Sequence, residues 1–361
     1  MKTKEEILNN FGPNQPGLED ATIFGLPFTA EQSEIIVIPV PWEVTVSYGS
    51  GASKGPKAIL EASYQIDLLQ QEYPDLWKAG IFMEQIPSKL KSQSKRYKKV
   101  VEPIIKALEK GKVIDEKTSL HTSLTKVNVA CEQMVQYVKE QTVYWQNQGK
   151  HVVLVGGDHS TPLGYYQALA AKHSDFGILH LDAHMDLRIA YEGFTYSHAS
   201  IMYNALQIKN ISKIVQVGIR DFCEQEVNVV KNSKNRVKVF TDLDLKKEAF
   251  EGKTWQQQCN EIIEQLPQKV CISFDIDGLY PWYCPNTGTP VPGGFSFEQA
   301  TYLFAKLAES KKEIIGFDLV EVAPGKNSDW DGNVGARMLF AMCGAFMKSQ
   351  KKIKNNKIVF N

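Results

Sequence analysis

The sequence lacks several features that define whole classes of protein. Its 361 residues carry 41 basic and 41 acidic side chains, so no net charge attracts nucleic acid or an anionic membrane. No apolar run is long enough to span a bilayer, and the opening residues, MKTKEE, lack the apolar core of a secretory signal. We therefore expect a cytoplasmic protein with neither a nucleic-acid nor a membrane partner.

Cysteine and histidine are also scarce. The six cysteines are scattered without a Cys-x-x-Cys pair, which disfavours a zinc knuckle or a disulfide frame and predicts reduced, mostly buried thiols. There are only seven histidines, and several of them lie beside aspartates between residues 158 and 186. This part of the chain therefore carries most of the functional information.

After an N-terminal arm without a clear period, residues 1–33, short apolar runs alternate with helical patterns. Such alternation predicts a mainly parallel sheet with helices on both faces, here in a single domain, residues 34–361. The predicted strands are 34–40, 151–155, 177–182, 213–218, 236–240, 269–275 and 313–319. The predicted helices are near 55–69, 122–148, 161–172, 198–207, 252–265, 296–309 and 334–348.

A lysine-rich insertion, about residues 88–118, is the one anomaly of composition. It could be a basic binding patch or the solvated face of a helix. The second interpretation is favoured, because Val101, Ile104 and Leu108 provide an inward face and the charge is not interleaved with exposed aromatic residues.

Polar side chains follow four of the predicted strands, at the sheet edge where ligands bind in folds of this type. Each segment directly follows an apolar run that a core would not extend with unpaired polar groups. The four segments are Gly156–Ser160, Asp182–Asp186, Asp275–Gly278 and Asp318–Glu321. Any one of them alone is better explained as a turn or a helix cap, but four in strand order predict a shared site.

The spacing within these segments predicts a metal centre. Alternate residues of an extended chain point the same way, so Asp182, His184 and Asp186 can converge, as can Asp275 and Asp277. With His159 as a sixth member, so many like charges would be untenable without two divalent cations. Oxygen and imidazole ligands favour Mn²⁺, with Ni²⁺, Co²⁺, Fe²⁺ or Zn²⁺ as alternatives. His180 is interpreted as a core histidine rather than a ligand.

Together these segments resemble the ureohydrolase superfamily of arginases, agmatinases and formimidoylglutamases. The resemblance covers residues 33–349, and it includes the loop and helix 47–59, Thr287–Gly294 and Glu321-Val-Ala-Pro besides the metal motifs. It implies a three-layer α/β/α sandwich around a mainly parallel eight-stranded sheet. It also implies a homo-oligomer, a trimer or a hexamer.

The resemblance assigns the predicted ligands to two ions. One ion would be held by His159, Asp182, Asp186 and Asp275, and the other by His184, Asp182, Asp275 and Asp277, so that two aspartates bridge. Cations roughly 3.5 Å apart polarise a bridging water to hydroxide near neutral pH. That hydroxide would attack a guanidinium or amidine carbon, after which one C–N bond breaks.

Three residues receive catalytic roles from the resemblance. Glu321 corresponds to a carboxylate that pairs with the cationic head of the substrate through a fork of N–H donors. His198 corresponds to a histidine that shuttles a proton to the leaving amine, although a plain surface-loop histidine is the alternative. Asp186 is counted among the catalytic residues as well as among the ligands.

The identity of the substrate stays open, and an agmatinase-like activity is favoured. Cys223 stands where arginases have an acidic residue, and the loop before His198 differs from theirs, which argues against arginase. Arg188 matches an arginine of formimidoylglutamases and would suit a substrate carboxylate. Guanidine and other guanidino compounds are further alternatives, and Trp282 with Tyr283 would wall off a small pocket.

Two interpretations belong to other functional classes. A non-catalytic scaffold of the same fold would bind no metal, and a mononuclear zinc deacylase would bind one ion per chain. The stoichiometry of bound metal distinguishes both from a binuclear hydrolase.

Overall fold

The computed structural model describes residues 3–14, 21–353 and 358–359. Parts of the predicted arm (1–2 and 15–20) and of the predicted domain's end (354–357 and 360–361) lie outside these residues. The described chain forms an eight-stranded sheet in which every pairing is parallel. Its strands are β1 (Ile35–Val40), β2 (Ile81–Met83), β3 (His151–Gly156), β4 (Phe176–Leu181), β5 (Ile211–Ile219), β6 (Val237–Thr241), β7 (Lys269–Asp275) and β8 (Glu313–Val320).

Helices connect these strands and cover the sheet, which confirms the predicted α/β class. They are α1 (Lys4–Asn10), α2 (Gly55–Ser63), α3 (Ser88–Leu108), α4 (Ser119–Asn147), α5 (Leu163–Lys172), α6 (Ile201–Leu206), α7 (Glu224–Asn232), α8 (Asp242–Phe250), α9 (Trp255–Glu264), α10 (Phe297–Glu309) and α11 (Trp330–Ser349). None of the helices in the described part of the chain has the length and apolarity to cross a membrane.

The described parts of the predicted arm, residues 1–33, contain a helix and core residues that the absence of a clear period did not reveal. Residues 4–10 form α1, which begins at a capping box in which the side chains of Thr3 and Glu6 each accept a backbone N–H from the other residue. Further along, Ile23, Phe24 and Leu26 are fully or almost fully buried in the core. The prediction also omitted β2, which at three residues is too short to show a pattern, and the helices α7 and α8.

The order of strands across the sheet is β2-β1-β3-β8-β7-β4-β5-β6. The four strands that are followed by polar segments, β3, β8, β7 and β4, are therefore neighbours at the centre. Parallel strands end at one edge, so segments that are far apart in the sequence come together there. The position of the site follows from this order.

The sheet is buried on both faces. Along β1, Ile35 and Val37 join one large hydrophobic cluster, whereas Ile38 and Val40 join a second one. Alternating side chains thus supply two apolar layers, as expected for a parallel sheet between helices. The polar groups at the strand ends consequently lie at the boundary of a rigid core.

Helix α3 contains most of the lysine-rich insertion. It buries Val101 and Ile104 as its spacing predicts. One of its lysines, Lys98, forms an ion pair with Glu43, which is buried after β1. Glu43 Oε2 in turn accepts the backbone N–H groups of Gly51 and Ser53 at 3.0 Å each. The helix therefore anchors the loop that connects β1 to α2.

Candidate metal centre and substrate pocket

The turn after β3 brings His159 to the centre of the site. A β-carbon on Gly157 would lie 1.9 Å from the carbonyl oxygen of Trp42, so only glycine permits this close approach of two backbones. The following Asp158 is fully buried and accepts the N–H groups of Val44 and Ser160 at 3.2 and 3.0 Å. This turn holds His159 at 1% exposure.

Four of the predicted ligands meet at one nitrogen of His159. Its Nδ1 atom lies 3.0 Å from Asp182 Oδ2, 3.1 Å from Asp186 Oδ2 and 3.2 Å from Asp275 Oδ2. The nitrogen is buried, and none of these contacts has the geometry of a hydrogen bond. A buried imidazole nitrogen that faces three carboxylates is the arrangement that a cation would complete.

A second group surrounds His184. Its Nδ1 atom lies 3.1 Å from Asp277 Oδ2 and 3.4 Å from Asp182 Oδ1. Asp277 is fixed because it accepts the N–H of Ala183 at 3.0 Å, and Asp275 accepts the N–H of Asp277 at 2.9 Å. The ligand-type atoms of Asp182, His184 and Asp277 all lie within 4.8 Å of one another. Asp182 thus belongs to both groups.

The pKa shifts within the two groups show that the site favours bound positive charge. Burial and then the Asp277 and Asp182 carboxylates raise the pKa of Asp275 well above its usual value. Although burial lowers the pKa of His184, the Asp277 and Asp182 carboxylates raise it to about 12. Asp275 and His184 thus bind protons more readily than usual, and divalent cations would displace those protons. The residues present fit a pair of hard cations bound by oxygen and imidazole.

His180 is not free to act as a ligand, although its position would allow it. Its Nδ1 atom lies 3.0 Å from Gln216 Nε2, and its Nε2 atom lies 2.8 Å from Asp182 Oδ2. Both ring nitrogens are therefore engaged, and the ring supports Asp182. The interpretation of His180 as a satisfied core histidine stands, but the sequence did not show its contact with a predicted ligand.

Glu321, directly after β8, lies beside His159. Its Oε1 atom accepts the N–H of His159 at 2.9 Å, and its own N–H and carbonyl oxygen are bonded to Gly157 and Thr287. Its Oε2 atom is buried without a hydrogen-bond partner. Burial and then the Asp275 carboxylate raise the pKa of Glu321 well above its usual value. One carboxylate oxygen is thus left for a cationic group.

Two of the predicted site residues have a left-handed backbone, which is uncommon outside glycine. The φ angles are 53° for Asp186 and 63° for Glu321. Such conformations cost on the order of 1–3 kcal/mol and persist where the surrounding structure enforces them. Here the strain turns both side chains from the strand direction toward His159.

The segment after Asp186 packs against the turn that carries His198. The carbonyl oxygen of Asp186 accepts the N–H of Met202 at 3.0 Å, and the N–H of Arg188 donates to Ala199 at 3.0 Å. His198 therefore lines the same pocket as His184 and Glu321. Burial and then the charge of His184 lower the pKa of His198 to about 4, so His198 is neutral near pH 7.

The pocket has a volume of about 250 Å³. Its floor is formed by Glu321 and four of the predicted metal ligands, His159, His184, Asp186 and Asp275, and the other two, Asp182 and Asp277, contact His184 behind it. The more exposed Tyr48, Arg188 and Phe222 form its mouth. The Arg188 guanidinium stacks on Tyr191 at 4.7 Å and lies 3.9 Å from Glu226. Tyr48, by contrast, is 86% exposed. The mouth is open and carries charge and aromatic surface.

Trp282 does not line this pocket. It is 61% exposed and stacks on Tyr280, with ring centroids 4.4 Å apart. Its carbonyl oxygen accepts the indole N–H of Trp330 at 2.9 Å. Tyr283 packs partly buried against the core. In the described chain, this aromatic loop therefore builds a packed surface beside the pocket instead of a wall inside it.

Comparisons with known proteins agree with this geometry. Residues 33–344 match the family model described as the arginase family. An N(1)-aminopropylagmatine ureohydrolase of Thermus thermophilus is 31% identical over 81% of this chain and 84% of its own length. That of a Synechocystis species is 28% identical over 88% of this chain and 90% of its own length.

Solved structures share the fold. The agmatine ureohydrolase of Thermoplasma volcanium superimposes with a TM-score of 0.69 at 22% identity, covering 96% of this chain and 99% of its own. The proclavaminate amidino hydrolase of Streptomyces clavuligerus gives a TM-score of 0.70 at 21% identity, covering 93% of this chain and 100% of its own.

Proposed function

Because the chain belongs to the arginase family, we propose that it is a binuclear metal-dependent hydrolase that cleaves a C–N bond of a guanidino compound. The favoured reaction is agmatinase-like, in which a guanidino group and water give a primary amine and urea. The observation that carries the proposal is the buried, unpartnered Oε2 atom of Glu321 beside the His159 and His184 groups.

The metal ligands in this proposal are His159, Asp182, His184, Asp186, Asp275 and Asp277. The unbonded Nδ1 atom of His159 and the crowding of carboxylates around it support the assignment. Cations bound there would lower the pKa of a water molecule and so supply a nucleophile near neutral pH. We propose Mn²⁺ as the native metal on the basis of the ligand types.

The other residues of the pocket bind the substrate and move a proton. Glu321 would accept N–H groups of the guanidinium and place its carbon above the metal ligands. His198, which lines the pocket and is neutral near pH 7, would accept a proton and transfer it to the departing amine. The strained backbone of Asp186 and Glu321 fixes both carboxylates before the substrate enters.

A substrate that carries a carboxylate is the second candidate, and it rests on Arg188. The guanidinium of Arg188 lies in the pocket, where it would repel the distal ammonium of a substrate such as agmatine and attract a carboxylate. Guanidino acids and formimidoylglutamate meet this description. Guanidine itself has no tail and would be indifferent to Arg188.

A substrate panel tests the proposal after the chain is loaded with Mn²⁺ or Ni²⁺. The panel contains agmatine, aminopropylagmatine, guanidinobutyrate, formimidoylglutamate, arginine and guanidine, and urea, formamide and ammonia are measured. Two metal ions per chain and release of urea from agmatine or aminopropylagmatine are expected. One ion would favour the mononuclear deacylase, and none would favour the scaffold.

Assembly into a trimer or hexamer, like cytoplasmic residence, stays a prediction. Light scattering of the purified chain measures the oligomer directly.

A further inference from the structure

A row of buried polar side chains crosses the apolar sheet beneath the site. Gln216, His180, Ser273 and Asp318 are registered partners on β5, β4, β7 and β8, and each is 0% exposed. We propose that this polar row positions the metal ligands, and that Asp318 acts on His159 through Ser273. The inference rests on the proposed metal centre.

At the Asp318 end of the row, the hydrogen-bond donors point toward the Asp318 carboxylate. Ser273 Oγ donates to Asp318 Oδ1 at 3.0 Å, and the Tyr166 hydroxyl lies within donating distance of both Ser273 Oγ, at 2.8 Å, and Asp318 Oδ2, at 2.9 Å. Because the Ser273 proton is directed at a carboxylate, Ser273 Oγ accepts the proton of His159 Nε2, which lies 2.9 Å away. With this proton on Nε2, the tautomer that can bind a cation is the one whose Nδ1 atom faces Asp182, Asp186 and Asp275.

That tautomer is the one a metal requires. A histidine binds a cation through a lone pair, and a donor bond from its other nitrogen orients the ring and makes the lone pair more basic. A carboxylate behind the serine strengthens this effect through a chain of hydrogen bonds. Asp318 is therefore a positioning residue that does not touch the substrate.

A merely structural role explains Asp318 poorly. A fully buried carboxylate is expensive in an apolar sheet, where an aliphatic side chain would pack without desolvating a charge. Burial raises the pKa of Asp318 to about 6, and the groups that oppose this shift are the His159 ring, Tyr166, Ser273 and the His180 ring. All of them lead toward the predicted ligands.

The other half of the row, Gln216 and His180, orients the carboxylate ligand Asp182 in a similar way. Gln216 Nε2 lies 3.0 Å from His180 Nδ1 and also donates to the carbonyl oxygen of Met185 at 2.6 Å. Since Nδ1 faces a donor, the ring proton of His180 resides on Nε2 and is donated to Asp182 Oδ2 at 2.8 Å. The polar row thus orients one histidine ligand, His159, and one carboxylate ligand, Asp182.

The test is calorimetric titration of Mn²⁺ into the metal-free chain, with bound metal counted by mass spectrometry. Ser273→Ala should weaken one of the two metal equivalents by about 10- to 100-fold and leave the other within about threefold. Asp318→Asn, which keeps the shape and removes the charge, should weaken the same equivalent by about tenfold. In the Ser273→Ala background, Asp318→Asn should weaken that equivalent further by no more than about threefold, because the hydrogen bond that links Asp318 to His159 is already lost.

Adjacent tyrosines provide a matched control. Tyr165 and Tyr166 are neighbours on α5 and both are fully buried, but the Tyr165 hydroxyl donates to the carbonyl oxygen of Val152, away from Asp318. Tyr166→Phe should weaken the same metal equivalent, whereas Tyr165→Phe should not. Thermal melting of each metal-free variant shows whether a loss of metal affinity reflects a damaged fold.

The possible failures are distinguishable. Equal weakening of both equivalents by Asp318→Asn, or an undiminished effect of this change in the Ser273→Ala background, would overturn the positioning role. If Asp318→Asn does not fold, Ser273→Ala and Tyr166→Phe decide the same question. A wild-type chain that takes up fewer than two ions would overturn the proposed function instead.

Discussion

The floor and the mouth of the pocket are built in different ways. At the floor, buried side chains such as Asp182 and Asp275 are fixed by backbone N–H groups and registered strands. At the mouth, Tyr48, Arg188 and Phe222 are partly or largely exposed on loops. The reaction centre is therefore specified by the sheet, whereas substrate choice depends on side chains that can change without disturbing the fold.

The largest effect should come from the floor. Asp182→Ala removes a carboxylate that belongs to both ligand groups, so we expect loss of both metal ions and turnover below detection. Metal content and urea release measure this outcome. Asp175→Ala is the control, because Asp175 is an exposed aspartate that does not line this pocket. Full activity of Asp182→Ala would contradict the site assignment.

The next effect concerns the carboxylate above the ligands. Glu321→Gln keeps an oxygen for the N–H of His159 but removes the charge that would face the guanidinium. We expect kcat/KM to fall about 100- to 1,000-fold, corresponding to about 3–4 kcal/mol for one partner of a buried charged pair. Metal content should stay at the wild-type level. An unchanged kcat/KM on every guanidino compound would remove Glu321 from the substrate site.

His198 lies between floor and mouth, and its effect should be intermediate. His198→Ala should lower kcat about 100-fold through loss of proton transfer, with both metals retained. An added small imidazole base should restore part of the rate. His173→Ala, which removes a histidine beside Lys269 outside the pocket, serves as the control. Loss of metal from His198→Ala would show a ligand role instead.

The smallest effect on turnover should come from the mouth, where a change alters preference. Arg188→Ala should leave agmatine turnover within about threefold and raise KM for guanidinobutyrate by about fivefold, since an exposed charge contact is worth about 1 kcal/mol. Arg188→Lys keeps the charge and should retain most of the preference. A large loss of kcat/KM on every substrate would show that Arg188 is needed at the reaction centre and not for substrate preference alone.

The same contrast explains what could be predicted from the sequence. The six proposed ligands and Glu321 lie at the ends of strands or within five residues after them, where polar residues interrupt an apolar pattern and are easily noticed. Ser273 and Gln216 lie within strands, and their partners depend on the register between segments far apart in the chain. No local pattern reveals such pairs.

Loop residues gave the weakest predictions. The sequence predicts Trp282 in the pocket wall, yet its ring stacks on Tyr280 and does not line the pocket. Its direction is decided by neighbours on the loop surface, which spacing alone does not encode. Similarly, α1 begins at a short capping motif that is easily missed in a segment without a hydrophobic period.

The central position of β8 has a consequence for folding. This strand comes last in the sequence but inserts between β3 and β7, so the sheet is not continuous until it docks. Contacts between such distant segments form late and slow the search for the native state. Until β8 docks, β3 and β7 are not joined, so His159 is not held beside Asp275 and Glu321 is not in place. The complete site is therefore assembled only with the last strand of the described chain.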